Sequence, residues 1–84
     1  MRIDKFLKVS RLIKRRSVAA EACSSDRVTV NGRPAKPSTL IKEGDEVTVR
    51  FGNRTVGFRV LSVKETVRKE EADHMYEILS QTDD

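Results

Sequence analysis

Seven basic side chains lie within the first sixteen residues of this 84-residue chain. They are Arg2, Lys5, Lys8, Arg11, Lys14, Arg15 and Arg16. Guanidinium groups bind phosphate oxygens in a bidentate manner, and ammonium groups bind them as point charges. This density of cations therefore predicts a phosphate-binding surface. Each phosphate that it neutralises should steepen the log–log salt dependence of binding by roughly 0.7 to 0.9.

Charge is unevenly divided along the sequence. Residues 1–36 hold ten Lys and Arg against three acids, whereas residues 37–84 hold seven against ten, although the whole chain carries only +4. A basic front and an acidic tail predict a polyanion-binding face and an end that is kept away from it. Nucleic acid is the first candidate partner and an anionic membrane surface the second. The alternative is that these cations are ordinary solvated charges, some of them paired with Asp4 and Glu21.

Groups that could perform catalysis are sparse. The chain has one cysteine and one histidine, Cys23 and His74. We interpret Cys23 as a small apolar residue on the inner stripe of a predicted helix, and His74 as an exposed or capping residue. The sequence shows no nucleophile–base pair, no set of metal ligands and no glycine-rich phosphate loop. It therefore predicts no enzyme, no metal and no cofactor.

Size and composition set further limits. A chain of this length has room for one core, for which 37% hydrophobic residues suffice. A single cysteine excludes an internal disulfide and fits a reducing cytoplasm. No apolar run follows the basic N-terminus, so neither a secretory signal nor a membrane span is predicted. We expect a cytoplasmic monomer.

Apolar residues at helical spacing predict a first helix over residues 3–9, followed by a linking turn over 10–14. A second helix is expected over residues 15–24. Its apolar stripe consists of Val18, Ala19, Ala22 and Cys23. Asp26 would follow that helix in a left-handed conformation, as a tolerable substitute for glycine.

These helices place the cations at two positions suited to phosphate. Lys5 and Lys8 are three residues apart and share one face of the first helix, which Arg2 can extend. Arg15 and Arg16 stand at the N-terminus of the second helix, where free backbone N–H groups and the helix dipole already attract anions. Positively charged arginines at its N-terminus destabilise an isolated helix, and a bound phosphate would offset that destabilisation.

The rest of the chain predicts a small sheet. Alternating residues predict strands at 28–30, at 47–51 and from 56 toward Val63, with Asn31-Gly32 as a tight turn. The last two strands should form a hairpin, with Gly57 as a candidate bulge. The apolar positions of a further amphipathic, acidic helix are Ala72, Met75, Tyr76 and Leu79. The expected fold class is α+β, with two N-terminal helices packed on a small, mostly antiparallel sheet and an acidic C-terminal helix.

All four aromatic side chains fall on apolar stripes of these elements. They are Phe6, Phe51, Phe58 and Tyr76. We interpret them as core residues rather than as platforms for base stacking. This favours recognition of a structured RNA by shape and backbone over recognition of a single strand.

Four ordered motifs resemble the S4 domain, the RNA-binding domain named after ribosomal small-subunit protein four. They are RIDKFL, RRSVA, RVTVNG and IKEGDEV. The resemblance covers about residues 1–63 and implies an RNA-binding domain there, with residues 64–84 as an acidic C-terminal extension containing a short helix. Two positions depart from the family pattern. Arg15 stands where the family often has a Ser or Thr helix cap, and Asp26 where it usually has glycine.

The whole chain, above all its opening RIDKFLKVSRLIKRRSVA, resembles the short bacterial RqcP family of ribosome-associated quality control. The resemblance implies a protein that binds the large ribosomal subunit left after stalling and contacts its rRNA and the peptidyl-site tRNA. It also implies work with RqcH during untemplated alanine addition to the nascent chain. The family's rRNA-facing arginines fall on Arg2 and Arg16. The flanking cations that charge and spacing add are Lys5, Lys8, Arg11, Lys14 and Arg15.

Two other functions remain open. The heat-shock relative that recycles large subunits carrying nascent chains has a similar S4 domain but typically continues into a longer basic tail, whereas this chain ends acidic. S4 domains also accompany pseudouridine synthases and RNA methyltransferases, and we expect this chain to stop before such a catalytic domain. The acidic tail could repel the wrong RNA surface, contact a protein partner or keep the chain in solution, and the sequence does not rank these roles.

Overall fold

The computed structural model describes residues 1–64 and 68–83. Within these ranges, two α-helices precede a five-stranded antiparallel sheet, and a 3₁₀ helix lies before the last strand. In chain order the elements are α1 (Ile3–Val9), α2 (Arg16–Ser24), β1 (Val28–Val30), β2 (Arg33–Pro34), β3 (Glu46–Phe51), β4 (Arg54–Val60), the 3₁₀ helix (Lys69–Met75) and β5 (Tyr76–Asp83). The α+β prediction, with two N-terminal helices and a mostly antiparallel sheet, is confirmed. No described helix has the length and hydrophobicity needed to cross a membrane.

The two α-helices lie where their periodicity predicts them. Helix α1 coincides with residues 3–9, and α2 begins one residue later than expected because Arg15 is its extended N-cap residue. Small buried side chains on α2, such as Ala19 and Cys23, allow it to pack closely against its neighbours. The prediction that Val18 lies on the buried apolar stripe of α2 is wrong, because 47% of this residue is exposed. It stands at the edge of the apolar stripe, and the contact made by the smaller residues is too narrow to cover it.

Both α-helices end on a non-glycine residue in the left-handed conformation. Asp26 has φ +60°, as predicted, and Arg11 adopts φ +64° after α1. At the end of α2 the N–H of Asp26 donates to the carbonyl of Cys23, and that of Arg27 to the carbonyl of Ala22. These two bonds form a Schellman motif, which satisfies carbonyls that the helix end would otherwise leave open.

The strand order in the sheet is β2-β1-β3-β4-β5, with every neighbouring pair antiparallel. Asn31 and Gly32, both with positive φ, form the predicted tight turn between β1 and β2. The predicted hairpin is β3–β4. An irregularity does occur at Gly57, but it lies in the pairing of β4 with β5, where Leu79 is the additional residue. A Cβ on Gly57 would lie 2.7 Å from Oγ of Ser80, so a larger residue at this position would require that side chain to shift.

The predicted acidic C-terminal helix over 72–79 is wrong. Ala72 and Met75 are buried on the 3₁₀ helix, whose period of three residues also places them on one face. From Tyr76 onward the chain is strand β5, which pairs with the edge of β4 along its length. The backbone partners offered by β4 override the local helical spacing. Strand β4 ends at Val60, before Val63, and residues 65–67 and 84 of the predicted extension lie outside the described residues.

Aromatic packing joins the helices to the sheet. Phe6 of α1 stacks on Phe58 of β4 with ring centroids 5.9 Å apart, and Tyr76 of β5 meets Phe58 edge-on at 5.7 Å. Phe6 and Phe58 are fully buried, and each such burial stabilises the fold by about 2 kcal/mol. Helix α1, which carries Lys5 and Lys8, is thereby fixed on the sheet.

Candidate nucleic-acid interface

A buried carboxylate joins two of the predicted phosphate-binding arginines. Asp4, in the first turn of α1, is only 3% exposed, and its Oδ2 accepts a hydrogen bond from Nη2 of Arg2 at 3.1 Å. The same oxygen lies 3.5 Å from Nε of Arg16 on α2. The other carboxylate oxygen, Oδ1, accepts the backbone N–H of Lys5 at 2.7 Å. Two arginines that are distant in the sequence are therefore held side by side, and we call this group the Arg2–Asp4–Arg16 cluster.

The two guanidinium groups of this cluster remain accessible to a ligand. About half of each side chain is exposed, 47% for Arg2 and 48% for Arg16. A guanidinium has five N–H donors, and the contact with Asp4 occupies only part of that capacity. The remaining donors can bind phosphate oxygens with little loss of side-chain freedom, because Asp4 already restricts both arginines.

The sequence did not predict this role of Asp4. It indicated only that Asp4 could form ordinary ion pairs with the surface cations. The pairing itself is present, but the carboxylate is buried while the arginines are exposed. A signal was available, because Asp4 directly follows Ile3 at the start of the apolar stripe of α1. An acid beside the buried face of a helix, with basic residues around it, indicates a positioning group.

The other predicted cations lie on α1 or in the segment that leads from α1 to the N-cap of α2. Four of them are exposed, namely Lys8, Arg11, Lys14 and Arg15. Lys5 is half-buried and already makes a contact of its own. Within the described part of the chain, no carboxylate forms an ion pair with those four exposed side chains. The structure thus joins Arg2 and Arg16 through Asp4 and places the remaining cations on α1 and in the segment between the helices.

The N-terminus of α2 has no side-chain cap. Arg15 is the N-cap residue, and its carbonyl accepts the N–H groups of Val18 and Ala19, but its side chain caps nothing. A Ser or Thr cap at this position would stabilise the helix by about 1 kcal/mol. The side chain of Arg15 therefore provides no acceptor for the first N–H groups of α2. Arg16 lies at this same end of the helix.

Replacing Arg11 with glycine should separate stability from RNA binding. Glycine removes the strain of a Cβ at φ +64°, so the free energy of unfolding should rise by about 0.5 kcal/mol in a urea titration. RNA affinity should fall, since one exposed cation of the loop is lost. The matched control is Asp26→Gly, which relieves the same strain after α2 and should not weaken RNA binding. Unchanged RNA affinity in Arg11→Gly would remove Arg11 from the interface.

Among the described residues, the pKa values of Cys23 and Tyr76 are shifted. Burial and, to a smaller extent, the nearby charge of Asp4 raise the pKa of the Cys23 thiol to about 11. The thiol is therefore protonated at neutral pH and poorly nucleophilic. Burial, followed by the charge of Asp73, also raises the pKa of Tyr76. Among the described residues, no group of three His, Cys, Asp or Glu side chains could hold a metal ion.

Comparison with known proteins agrees with this fold. Residues 1–47 match the family model of the S4 domain. The chain is 60% identical over 78 residues to the RQC P-site tRNA stabilizing factor of Halalkalibacterium halodurans, with 93% of this chain and 89% of the relative covered. It is 54% identical over 81 residues to the protein of the same name from Bacillus subtilis, covering 96% of this chain and 94% of that one.

Among solved structures, the trimeric heat shock protein 15 of Vibrio cholerae superimposes on this chain with a TM-score of 0.88. The two are 30% identical, and the match covers 95% of this chain and 82% of the other. The predicted S4-type fold is confirmed.

Proposed function

Since the chain belongs to the RqcP family of RQC P-site tRNA stabilizing factors, we propose that it acts in ribosome quality control by holding tRNA in the peptidyl site of an obstructed large subunit. The observation that carries this proposal is the Arg2–Asp4–Arg16 cluster, in which one buried carboxylate holds two exposed guanidinium groups together. RNA, with its repeating phosphates, is the natural counter-charge for such a pair. The chain would act in the cytoplasm as a monomer.

Arg2 and Arg16 would bind backbone phosphates of the large-subunit rRNA. Hydrogen bonds to charged groups contribute roughly 1.5–3 kcal/mol each, so two bidentate contacts suffice to anchor a small domain. The neighbouring cations would add affinity and contact the tRNA. They are Lys5, Lys8, Arg11, Lys14 and Arg15.

In this proposal the chain binds and does not catalyse. RqcH would direct the addition of untemplated alanine to the stalled nascent chain. This protein would support each cycle by favouring the return of the tRNA to the peptidyl site. What it contributes is a rigid cationic surface, because helix α1 is fixed on the sheet through the stacked pair Phe6 and Phe58.

A second candidate is the recycling of large subunits that carry nascent chains. It is supported by the structural likeness to heat shock protein 15. The first proposal is favoured because the match to heat shock protein 15 is at 30% identity, whereas the match to the RQC P-site tRNA stabilizing factor of Halalkalibacterium halodurans is at 60%.

An affinity purification from cells with stalled translation tests the proposal. The tagged protein should enrich free large subunits that bear tRNA, together with RqcH. Whole ribosomes in place of free large subunits would indicate a general ribosomal role and contradict the proposal. Free large subunits that bear tRNA but come without RqcH would favour the recycling function instead.

A further inference from the structure

A turn that follows β2 packs against the first turn of α1. The carbonyl of Thr39 accepts the backbone N–H of Ile3 at 2.8 Å, and the carbonyl of Pro37 accepts that of Asp4 at 3.4 Å. The turn is itself closed by two hydrogen bonds. The N–H of Thr39 donates to the carbonyl of Lys36 at 3.0 Å, and the N–H of Lys36 donates to Oγ1 of Thr39 at 2.8 Å. The turn is therefore fixed beside the part of α1 that carries Asp4.

Leu40, the residue after this turn, lies directly opposite Arg2. The two residues form an isolated antiparallel bridge. Backbone hydrogen bonds flank this pair on both sides, since the N–H of Ile3 donates on one side and the N–H of Ile41 donates to the carbonyl of Met1 at 2.9 Å on the other. In such a non-hydrogen-bonded pair the Cα atoms are about 4.5 Å apart and the side chains project from one face. Leu40 therefore stands beside the Arg2 side chain.

Leu40 is an apolar side chain in a cationic setting. It is 72% exposed, the highest value among the large hydrophobic residues that the structure describes. Residues 33–42 contain three exposed cations, Arg33, Lys36 and Lys42, and no acid. RNA matches this combination, because each phosphate along a strand is followed by the less polar surface of a ribose and its base. Leucine is also one of the apolar side chains that nucleic-acid-binding proteins place against bases.

The aromatic side chains are less well placed for such a contact. Phe6 and Phe58 are fully buried, whereas Phe51 and Tyr76 are half-buried. The interpretation of all four as core residues therefore holds only in part. The two half-buried rings belong to β3 and β5, whereas Leu40 adjoins α1 and the Arg2–Asp4–Arg16 cluster.

We propose that Leu40 packs against the ribose and base edge of the nucleotide whose phosphate Arg2 binds. The inference rests on the proposed function, since Arg2 must first hold that phosphate. An RNA helix displays its riboses and base edges in a wide, shallow minor groove, which a side chain projecting from a fixed turn can reach. Leu40 thereby adds an apolar contact to a binding mode that is otherwise governed by charge.

Replacing Leu40 with serine tests this contact. Binding to purified large subunits that carry peptidyl-site tRNA should weaken about fivefold, because an apolar surface that the RNA would cover is lost. The slope of log affinity against log salt should stay constant, since no charge is removed. The urea midpoint should also stay constant, because Leu40 is mostly exposed. Leu40→Met, which keeps an apolar side chain of similar size, should bind like the unmodified protein.

The matched control is Leu79→Ser. Leu79 is also exposed, at 41%, but it lies on β5 at the edge of the sheet. This substitution makes the same chemical change away from the cluster, so it should leave the affinity for the large subunit unchanged.

A cross-linking experiment identifies the class of molecule that covers Leu40. The chain is assembled with photo-leucine in place of Leu40 and irradiated on the same large subunits. Photo-leucine has nearly the shape of leucine and reacts with whatever lies against it. The cross-link should join the protein to rRNA or tRNA.

Unchanged affinity in Leu40→Ser, an equal loss in Leu79→Ser or a cross-link to a ribosomal protein would overturn the contact and leave the proposed function standing. If the unmodified protein does not bind these subunits at low salt, the proposed function and the contact are both contradicted.

Discussion

Replacing Arg16 with alanine is expected to weaken binding to free large subunits about tenfold or more without unfolding the protein. The loss corresponds to one charge-assisted contact of about 1.5–3 kcal/mol, and 1.4 kcal/mol is a factor of ten in affinity. Stability should change by less than about 1 kcal/mol, because Arg16 is half exposed. Asp4 moreover keeps Arg2 and the N–H of Lys5 as partners. Sedimentation with purified subunits measures the affinity, and urea unfolding measures the stability.

The matched control is Arg59→Ala. Arg59 is a similarly exposed arginine that pairs with an acid, Glu77 at 3.5 Å, but it lies on the opposite face of the sheet from the core. Its loss changes the net charge equally and should leave subunit binding intact. The slope of log affinity against log salt should fall by about 0.7–0.9 in Arg16→Ala and stay constant in Arg59→Ala. Equal losses in the two variants would show that only total charge matters.

Replacing Asp4 with asparagine is expected to weaken subunit binding about tenfold, although it makes the protein more positive. Asparagine can still accept the N–H of Lys5, but it loses the charge that holds Arg2 and Arg16 together. Ordering an arginine side chain costs up to about 2 kcal/mol, and this cost would now be met during binding. Unfolding should become easier by about 1–2 kcal/mol in urea titration, because a buried charge-assisted bond is lost.

A second acid supplies the control for this prediction. Asp26 is exposed at the end of α2, and Asp26→Gly removes the same charge away from the cluster. If negative charge simply opposes RNA, both substitutions should tighten binding. The cluster predicts opposite effects, with weaker binding for Asp4→Asn alone. Tighter binding by Asp4→Asn would show that Asp4 does not position the arginines.

Local signals were sufficient to predict much of the fold. The Asn31-Gly32 turn was recognisable because both of its residues tolerate positive φ, and α1 because its apolar residues follow one helical face. The basic residues of the proposed interface were likewise selected from charge and spacing alone, and their role stays a prediction. Each of these features depends on residues within a few positions of one another.

Features that depend on distant residues were missed. Residues 72–79 have helical spacing, yet Tyr76 begins a strand because the edge of β4 is available to it. Asp4 becomes a positioning group only when packing brings α2, and with it Arg16, beside α1. The left-handed conformation of Arg11 likewise has no signal in its residue type, since glycine or asparagine is usual at such a position.

A cryo-electron microscopy structure of this protein on a large subunit that carries peptidyl-site tRNA would test the central claim most directly. The account predicts rRNA phosphate oxygens within hydrogen-bonding distance of the guanidinium groups of Arg2 and Arg16, with Asp4 still between them. A complex in which those two side chains face solvent, and another surface of the protein contacts the RNA, would contradict it.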